Sequence, residues 1–162
     1  MDKKRIWTQF RMFTLPTGVK RTAYLRKKRI FGNIGEKSMI QSRKIPLYPE
    51  MIHIGNNVRI ASGVEFITHD VVHNMLNNLP ECKGFRFKEK KGKIIIGDNV
   101  FIGANSMLLY NVTIGSRVII GAGSIVTKDI PDGSVCVGAP CRVIGSFDDF
   151  IQKRKANDSE KD

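Results

Sequence analysis

The stretch IGDNVFIGANSMLLYNVTIGSRVIIGAGSIV, residues 96–126, decides the fold. Large apolar residues stand at Ile96, Ile102, Leu108, Ile114, Ile120 and Val126, spaced by six without a slip. Four residues after the first five of these anchors come Val100, Ser106, Val112, Val118 and Ser124, and four anchors are followed directly by Gly97, Gly103, Gly115 and Gly121. The unit is therefore a large apolar residue, usually a glycine, two positions that read as variable, a small or β-branched residue, and one further variable position. Upstream, Ile34-Gly35, Ile54-Gly55 and Ile60-Ala61 repeat the phrase, with Ser38, Val58 and Val64 four residues on, so at least nine units are visible.

A period of six excludes an α-helix, whose faces recur at about 3.6 residues, and it is shorter than the spacing of about 8–12 residues expected of a sandwich. It suits a short strand followed by a tight corner, so the chain must coil. Three units of six close one turn of 18 residues, which predicts that Ile96 stacks on Ile114, Ile102 on Ile120 and Leu108 on Val126. A glycine after each anchor fits a corner where backbones pack closely, and β-branched residues suit a pleated inward surface.

Two interruptions punctuate the solenoid. The segment RKIPLYPEMIH, residues 43–53, loses phase, and THDVVHNMLNNLPECKGFRFKEKKGK, residues 68–93, inserts a polar, basic stretch. An insertion at one corner of a rigid scaffold is where chemistry tends to be carried. Residues 18–31 are expected to form a basic helix capping the first coil. Phe147 to Lys155 reads as a helix with Asp148 and Asp149 at its start and Lys153, Arg154 and Lys155 at its end, matching the macrodipole, and residues 156–162 as a frayed tail. The expected organisation is a basic, partly helical segment over 1–31, a solenoid over 32–145 with a loop over 69–93, and a helix with its tail over 146–162.

The composition, 41% hydrophobic and 26% charged, is that of a globular chain. No apolar run approaches the roughly 18 residues that span a bilayer, and Gln9 and Arg11 interrupt the opening before a secretory apolar region forms, so a cytoplasmic protein is expected. Cys82, Cys136 and Cys141 are odd in number and lack CxxC spacing, which favours reduced thiols over disulfides or a zinc site, and no metal is expected. The net charge of +12 invites a polyanionic partner, either a phosphorylated cofactor or, peripherally, an anionic membrane surface. Its two clusters, Lys20 to Arg29 and Lys83 to Lys93, lack the interleaved aromatics and the motifs of nucleic-acid binders, so no nucleic-acid partner is expected.

The run from Ile96 to Gly145 resembles the signature of hexapeptide-repeat acyltransferases, in particular the maltose and galactoside O-acetyltransferase branch. The likeness is close over 52–145, weaker over 34–45, and fades at both ends. What it implies is an all-β fold, a left-handed parallel β-helix with short flanking helices and one long inserted loop. It also implies an acetyl-CoA-dependent O-acetyltransferase that acts on a sugar or a cell-surface glycan precursor, as a homotrimer with sites between subunits. Transfer to the amine of an amino sugar or antibiotic, and a non-catalytic β-helix scaffold, are the alternatives.

By the same resemblance the histidine at the mouth of the loop, His69, is the general base. The residue type suits the task, since an imidazole with a pKa of about 6.5 can take the proton of a poorly nucleophilic hydroxyl. Asp70 would orient an imidazole or bind acceptor hydroxyls, and Gln41 stands where the family carries an acceptor-site asparagine. The repeat itself sets Ala104 and Ala122 18 residues apart on one corner, where small side chains expose stacked backbone to an extended ligand. The resemblance places coenzyme A contacts at Ala104, Ala122, Thr127, Lys128 and Arg142, the last two cations meeting phosphates.

Overall fold

The computed structural model describes residues 3–159. Three parallel sheets wrap around one apolar interior. The first face stacks Asn33–Ile34, Ile52–Ile54, Ile94–Ile96 and Val112–Ile114 in that order. The second stacks Met39–Ile40, Arg59–Ile60, Val100–Ile102, Val118–Ile120 and Ser134–Val137, and ends in Arg142–Ser146, which runs antiparallel. The third stacks Glu65–Ile67, Met107–Leu109 and Ile125–Val126. Ile96 pairs with Ile114, Ile102 with Ile120 and Leu108 with Val126, as the six-residue spacing predicts.

Each anchor thus sits in a column: Ile34, Ile54, Ile96 and Ile114 on the first face, Ile40, Ile60, Ile102, Ile120 and Cys136 on the second, Phe66, Leu108 and Val126 on the third, all buried. Burying an isoleucine or leucine of this kind contributes about 1.5–3 kcal/mol, and the columns are the main source of stability. The small residues of the repeat are not inert fillers. Ser38 Oγ donates to Gly55 O at 2.8 Å and accepts from the Val58 amide at 3.0 Å, while Ser106 Oγ donates to Gly121 O at 3.1 Å and accepts from the Ser124 amide at 3.3 Å, so the buried hydroxyls tie successive corners together. Cys136 ends the second column, and burial together with the neighbouring Cys141 sulfur pushes its thiol up to about 12.

The third position after an anchor, which reads as variable in the sequence, is not free. Lys37, Asn57, Gly63, Asn99, Asn105, Asn111, Arg117, Gly123 and Gly133 all carry φ between 51° and 71°. Asparagine and glycine dominate because they enter the left-handed region at low cost, whereas other side chains meet a penalty of about 1–2 kcal/mol there. Lys37 and Arg117 carry that penalty. Lys37→Gly is therefore expected to raise stability by about 0.5–1 kcal/mol. An unchanged or lower urea midpoint would show that the corner bears no strain.

Register also locates the irregular coils. Ile54 pairs with Ile96, 42 positions on, where an uninterrupted turn needs 18; the difference of 24 residues is the insertion. The insertion does not remain a plain loop. His69–Asp70 pairs antiparallel with Lys90–Lys91, and Val72–Leu76 forms a short helix. At the other end the turn tightens, Ile114 bridging to Ile130 at a step of 16.

Helices flank the solenoid at both ends. Lys3–Thr14 (α1) and Gly18–Lys27 (α2) precede it, Val72–Leu76 (α3) lies in the insertion, and Phe147–Ser159 (α4) follows. The sequence signalled α2 and α4 but not α1, whose inner face is short and partly polar. Thr17 caps α2 by accepting from the Lys20 amide at 3.2 Å. Residues 156–159, expected to be part of a frayed tail, are helical: α4 continues to Ser159, and the Arg154–Asp158 pair at 3.0 Å spans its last turn. The rest of that expectation, residues 160–162, lies outside the described residues. Among the described residues no helix is long and apolar enough to cross a membrane, and no group of three or more His, Cys, Asp or Glu side chains is placed to hold a metal ion.

Candidate active site

His69 stands at the corner where the third face gives way to the insertion. Thr68, buried just before it, anchors this corner by donating its hydroxyl to Leu47 O, and the Gly92 amide closes the mouth of the insertion on Thr68 O at 3.0 Å. The imidazole is half-buried and lines a cavity of about 290 Å³ with Arg5, Lys44, Leu47, Glu65 and Ile67. Among the described residues the buried side-chain polar atoms without a hydrogen-bond partner are Arg21 Nε, His69 Nδ1 and His73 Nδ1. Two of the three are imidazole nitrogens at this insertion, and such orphaned groups call for a functional explanation.

Tyr48 frames the imidazole. Its ring meets His69 edge-on with centroids 5.6 Å apart, Lys91 Nζ lies 4.6 Å from the centre of the same ring, and its hydroxyl donates to Glu89 Oε2 at 2.7 Å. The bond to Glu89, with burial second, raises the Tyr48 hydroxyl above the usual tyrosine range. Tyr48 adopts φ 54°, a left-handed conformation that a bulky side chain enters only when its surroundings impose it. The out-of-phase segment 43–53 thus supplies one wall of the site, and the return strand of the insertion supplies the other.

Asp70 does not hydrogen bond His69. Its Oδ2 accepts from Tyr110 Oη at 2.6 Å and its Oδ1 from the Val72 amide at 3.2 Å. The Tyr110 bond holds the Asp70 carboxyl below the ordinary range, and the same bond raises the Tyr110 hydroxyl. A depressed carboxyl stabilises the fold at pH above its unfolded pKa and loses that contribution as pH falls through its folded one. A raised phenol contributes below its unfolded pKa and loses it as pH rises through the folded one. The pair is thus intact between about pH 4 and about pH 10. In Tyr110→Phe the Asp70 titration followed by NMR should move up toward the ordinary carboxylate midpoint; an unmoved midpoint would detach Asp70 from Tyr110.

Register places the remaining residues. Ala104 and Ala122 stack on the corner between the second and third faces, the Gly123 amide donating to Ala104 O at 2.8 Å. Arg142 is exposed on the strand that pairs with Val137, and Val137 in turn packs over Gly121, so it belongs to the same corner one coil further on. Gln41 lies on this corner too, in the first coil, its carbonyl accepting from Arg21 Nη2 at 3.2 Å. Thr127 and Lys128 are exposed on the next corner, between the third and first faces, two coils beyond His69. The structure therefore gathers Ala104, Ala122 and Arg142, gathers His69, Thr127 and Lys128 along another edge, and sets the width of the third face between the two groups. Six residues at about 3.3 Å each separate the edges by up to about 20 Å.

Tyr48, Glu89, Lys91 and Tyr110 are not among the site residues expected from the sequence, where Lys91 figures only in a basic cluster. Tyr110 was legible in principle, since the 42-residue step that relates Phe66 to Leu108 also carries Thr68 onto it. Nothing in a single sequence signals that Tyr48 turns toward the insertion.

Residues 93–128 match the bacterial transferase hexapeptide family (six repeats). The chain is 49% identical over 106 residues to protein CapG of Staphylococcus aureus, which covers 65% of this chain and 58% of that protein, so just over half of that relative's length is represented. It is 36% identical over 143 residues to the galactoside O-acetyltransferase of Escherichia coli K12, covering 75% of this chain and 67% of the relative. Among solved structures, a galactoside acetyltransferase in complex with coenzyme A is 30% identical with a TM-score of 0.60, covering 94% of this chain and 86% of that chain.

Proposed function

The chain belongs to the hexapeptide-repeat acetyltransferase superfamily, and on that footing we propose that it moves acetyl from acetyl-CoA to a hydroxyl of a sugar or cell-surface glycan precursor, with His69 as general base. The observation that carries this reading is His69 itself, half-buried on a cavity, framed by Tyr48, with a ring nitrogen that no described residue engages.

His69 takes the proton of the acceptor hydroxyl as that oxygen attacks the thioester carbonyl, and returns it to the departing thiolate as the tetrahedral intermediate collapses. The balance is one ester and one thiol from one alcohol and one thioester. Ala104 and Ala122 offer a ridge of small side chains along which an extended pantetheine arm lies, while Thr127, Lys128 and Arg142 meet the nucleotide phosphates. Arg142 suits this use: it is exposed, and its Nη1 donates to Cys141 O at 3.0 Å, which steadies the guanidinium from one side. No metal enters this mechanism. Asp70 and Gln41 belong to the acceptor side, Asp70 through the hydroxyl network that Tyr110 completes.

One chain cannot close this site, since the third face separates its own His69 from its own alanine ridge. A homotrimer, in which His69 of one copy faces the ridge of the next, brings them together. In the same reading the coil is left-handed, residues 32–145 form the scaffold with its insertion at 69–93, α2 caps the first coil and α4 follows the last, and the protein works in the cytoplasm. The test is thiol release from acetyl-CoA over a panel of saccharides and amino sugars. Release that needs a hydroxyl acceptor supports the proposal; release only with amino acceptors replaces it with N-acetyl transfer, and none with any acceptor removes it.

A further inference from the structure

Helix α1 presents its apolar side outward. Its inner face is occupied by buried Thr8 and Met12 and by Gln9, whose Nε2 donates to Arg43 O at 2.9 Å while its Oε1 accepts from the Ile45 amide at 2.8 Å. Its outer face carries Ile6, Trp7, Phe10 and Phe13 at helical spacing, exposed by 46%, 70%, 61% and 62%. Trp7 and Phe10 meet edge to face at 6.3 Å, and a hollow of about 410 Å³ bounded by Ile6, Phe10 and Phe13 opens on the same side. Four large apolar side chains in one patch mark a surface that meets something other than water.

The charge of the N-terminal segment says what. Residues 1–29 contain ten lysines and arginines and a single acid, Asp2. Arg5 lines the hollow beside the patch, Arg11 on α1 and Lys20 and Lys27 on α2 are exposed, as are Lys28 and Arg29 just beyond it, while Arg26 is engaged by Ile34 O and Gly35 O. A second copy would bring an equally cationic segment to the same place and be repelled. An anionic bilayer complements both features: aromatic side chains settle at the boundary between headgroups and acyl chains while cations meet lipid phosphates.

We propose that α1 docks the protein on an anionic membrane surface, with Trp7, Phe10 and Phe13 entering the interface and the cations of α2 held at the headgroups. This docking is independent of the chemistry at His69, so it stands or falls separately from acetyl transfer. It would place a soluble catalyst beside acceptors assembled on lipid.

Trp7 is the sole tryptophan, so its emission reports this face in the unmodified protein. Vesicles of phosphatidylglycerol and phosphatidylcholine in about 0.1 M salt should shift the emission to the blue and sediment the protein, and about 0.5 M salt should reverse both. Vesicles of phosphatidylcholine alone should bind at least about tenfold more weakly. The double variant Phe10→Ser, Phe13→Ser keeps Trp7 and alters only exposed side chains; with an unchanged circular dichroism spectrum it should lose about tenfold or more in anionic-vesicle affinity. Emission unmoved by anionic vesicles, or equal binding to neutral ones, overturns the proposal. So does a fall in the solution mass of the double variant without any vesicle binding by the parent, which would make the face a contact between copies.

Discussion

Replacing His69 with alanine lowers acceptor-dependent kcat/KM by about 10²–10⁴-fold, the range supplied by a positioned general base, while coenzyme A affinity stays within about twofold of the parent. The separation follows from the proposed division of roles: within one chain His69 lies across the third face from Ala104 and Ala122, and in the trimer it faces the neighbouring copy's ridge without forming part of it, so its loss leaves the proposed donor contacts in place. Steady-state kinetics together with calorimetric titration of coenzyme A measure both halves. If the thermal transition drops along with the rate, His69 is a packing residue; Tyr48 against its ring is the contact through which that would act. Retained activity in a stable His69→Ala protein would remove the general base from the mechanism.

Ile102→Ala destabilises the protein by about 2–5 kcal/mol, the cost of burying a cavity in a column that cannot collapse. Ile102 is wholly buried between Ile60 on one coil and Ile120 on the next, and both neighbours are fixed by parallel strand pairing. In a stack where each coil contacts only its neighbours, the loss is felt at two interfaces at once. A matching Ile40→Ala at the first coil, which has a strand partner on one side only, costs less. Urea denaturation of the two variants orders them; equal midpoints would mean that the columns do not act as nearest-neighbour stacks.

The third-face separation also explains why composition and motif searching go only part of the way. His69 is identified by its place at the end of the last regular unit before the insertion, and Ala104 and Ala122 by an 18-residue step, so both are written in the one-dimensional pattern. Tyr48 and Asp70 are different. Asp70 sits next to His69 in the chain yet bonds Tyr110, because successive residues of a strand point to opposite sides and the antiparallel pairing with Lys90 turns the carboxylate outward to the next coil. Tyr48 reaches His69 only because residues 43–51, between the second-face strand Met39–Ile40 and the first-face strand Ile52–Ile54, pass the third face without a regular strand. Likewise the left-handed residue at each corner reads as variable in the sequence, and only the backbone angles show that asparagine and glycine recur there for one reason, with Lys37 and Arg117 breaking the pattern by type and keeping it by conformation.

What the sequence determined by itself was the coil: a period of six fixes which residues face inward, and burial of those columns is local enough to be read without coordinates. What only the tertiary structure decided was the company each functional side chain keeps. The partners of His69, the engagement of Asp70 by Tyr110, the return of the insertion as a strand and the outward aromatic face of α1 all depend on contacts between residues 20 to 40 positions apart or on the free side of a helix. Such contacts leave no period in the sequence because each occurs once, whereas the repeat is legible because the same packing constraint is imposed at every turn.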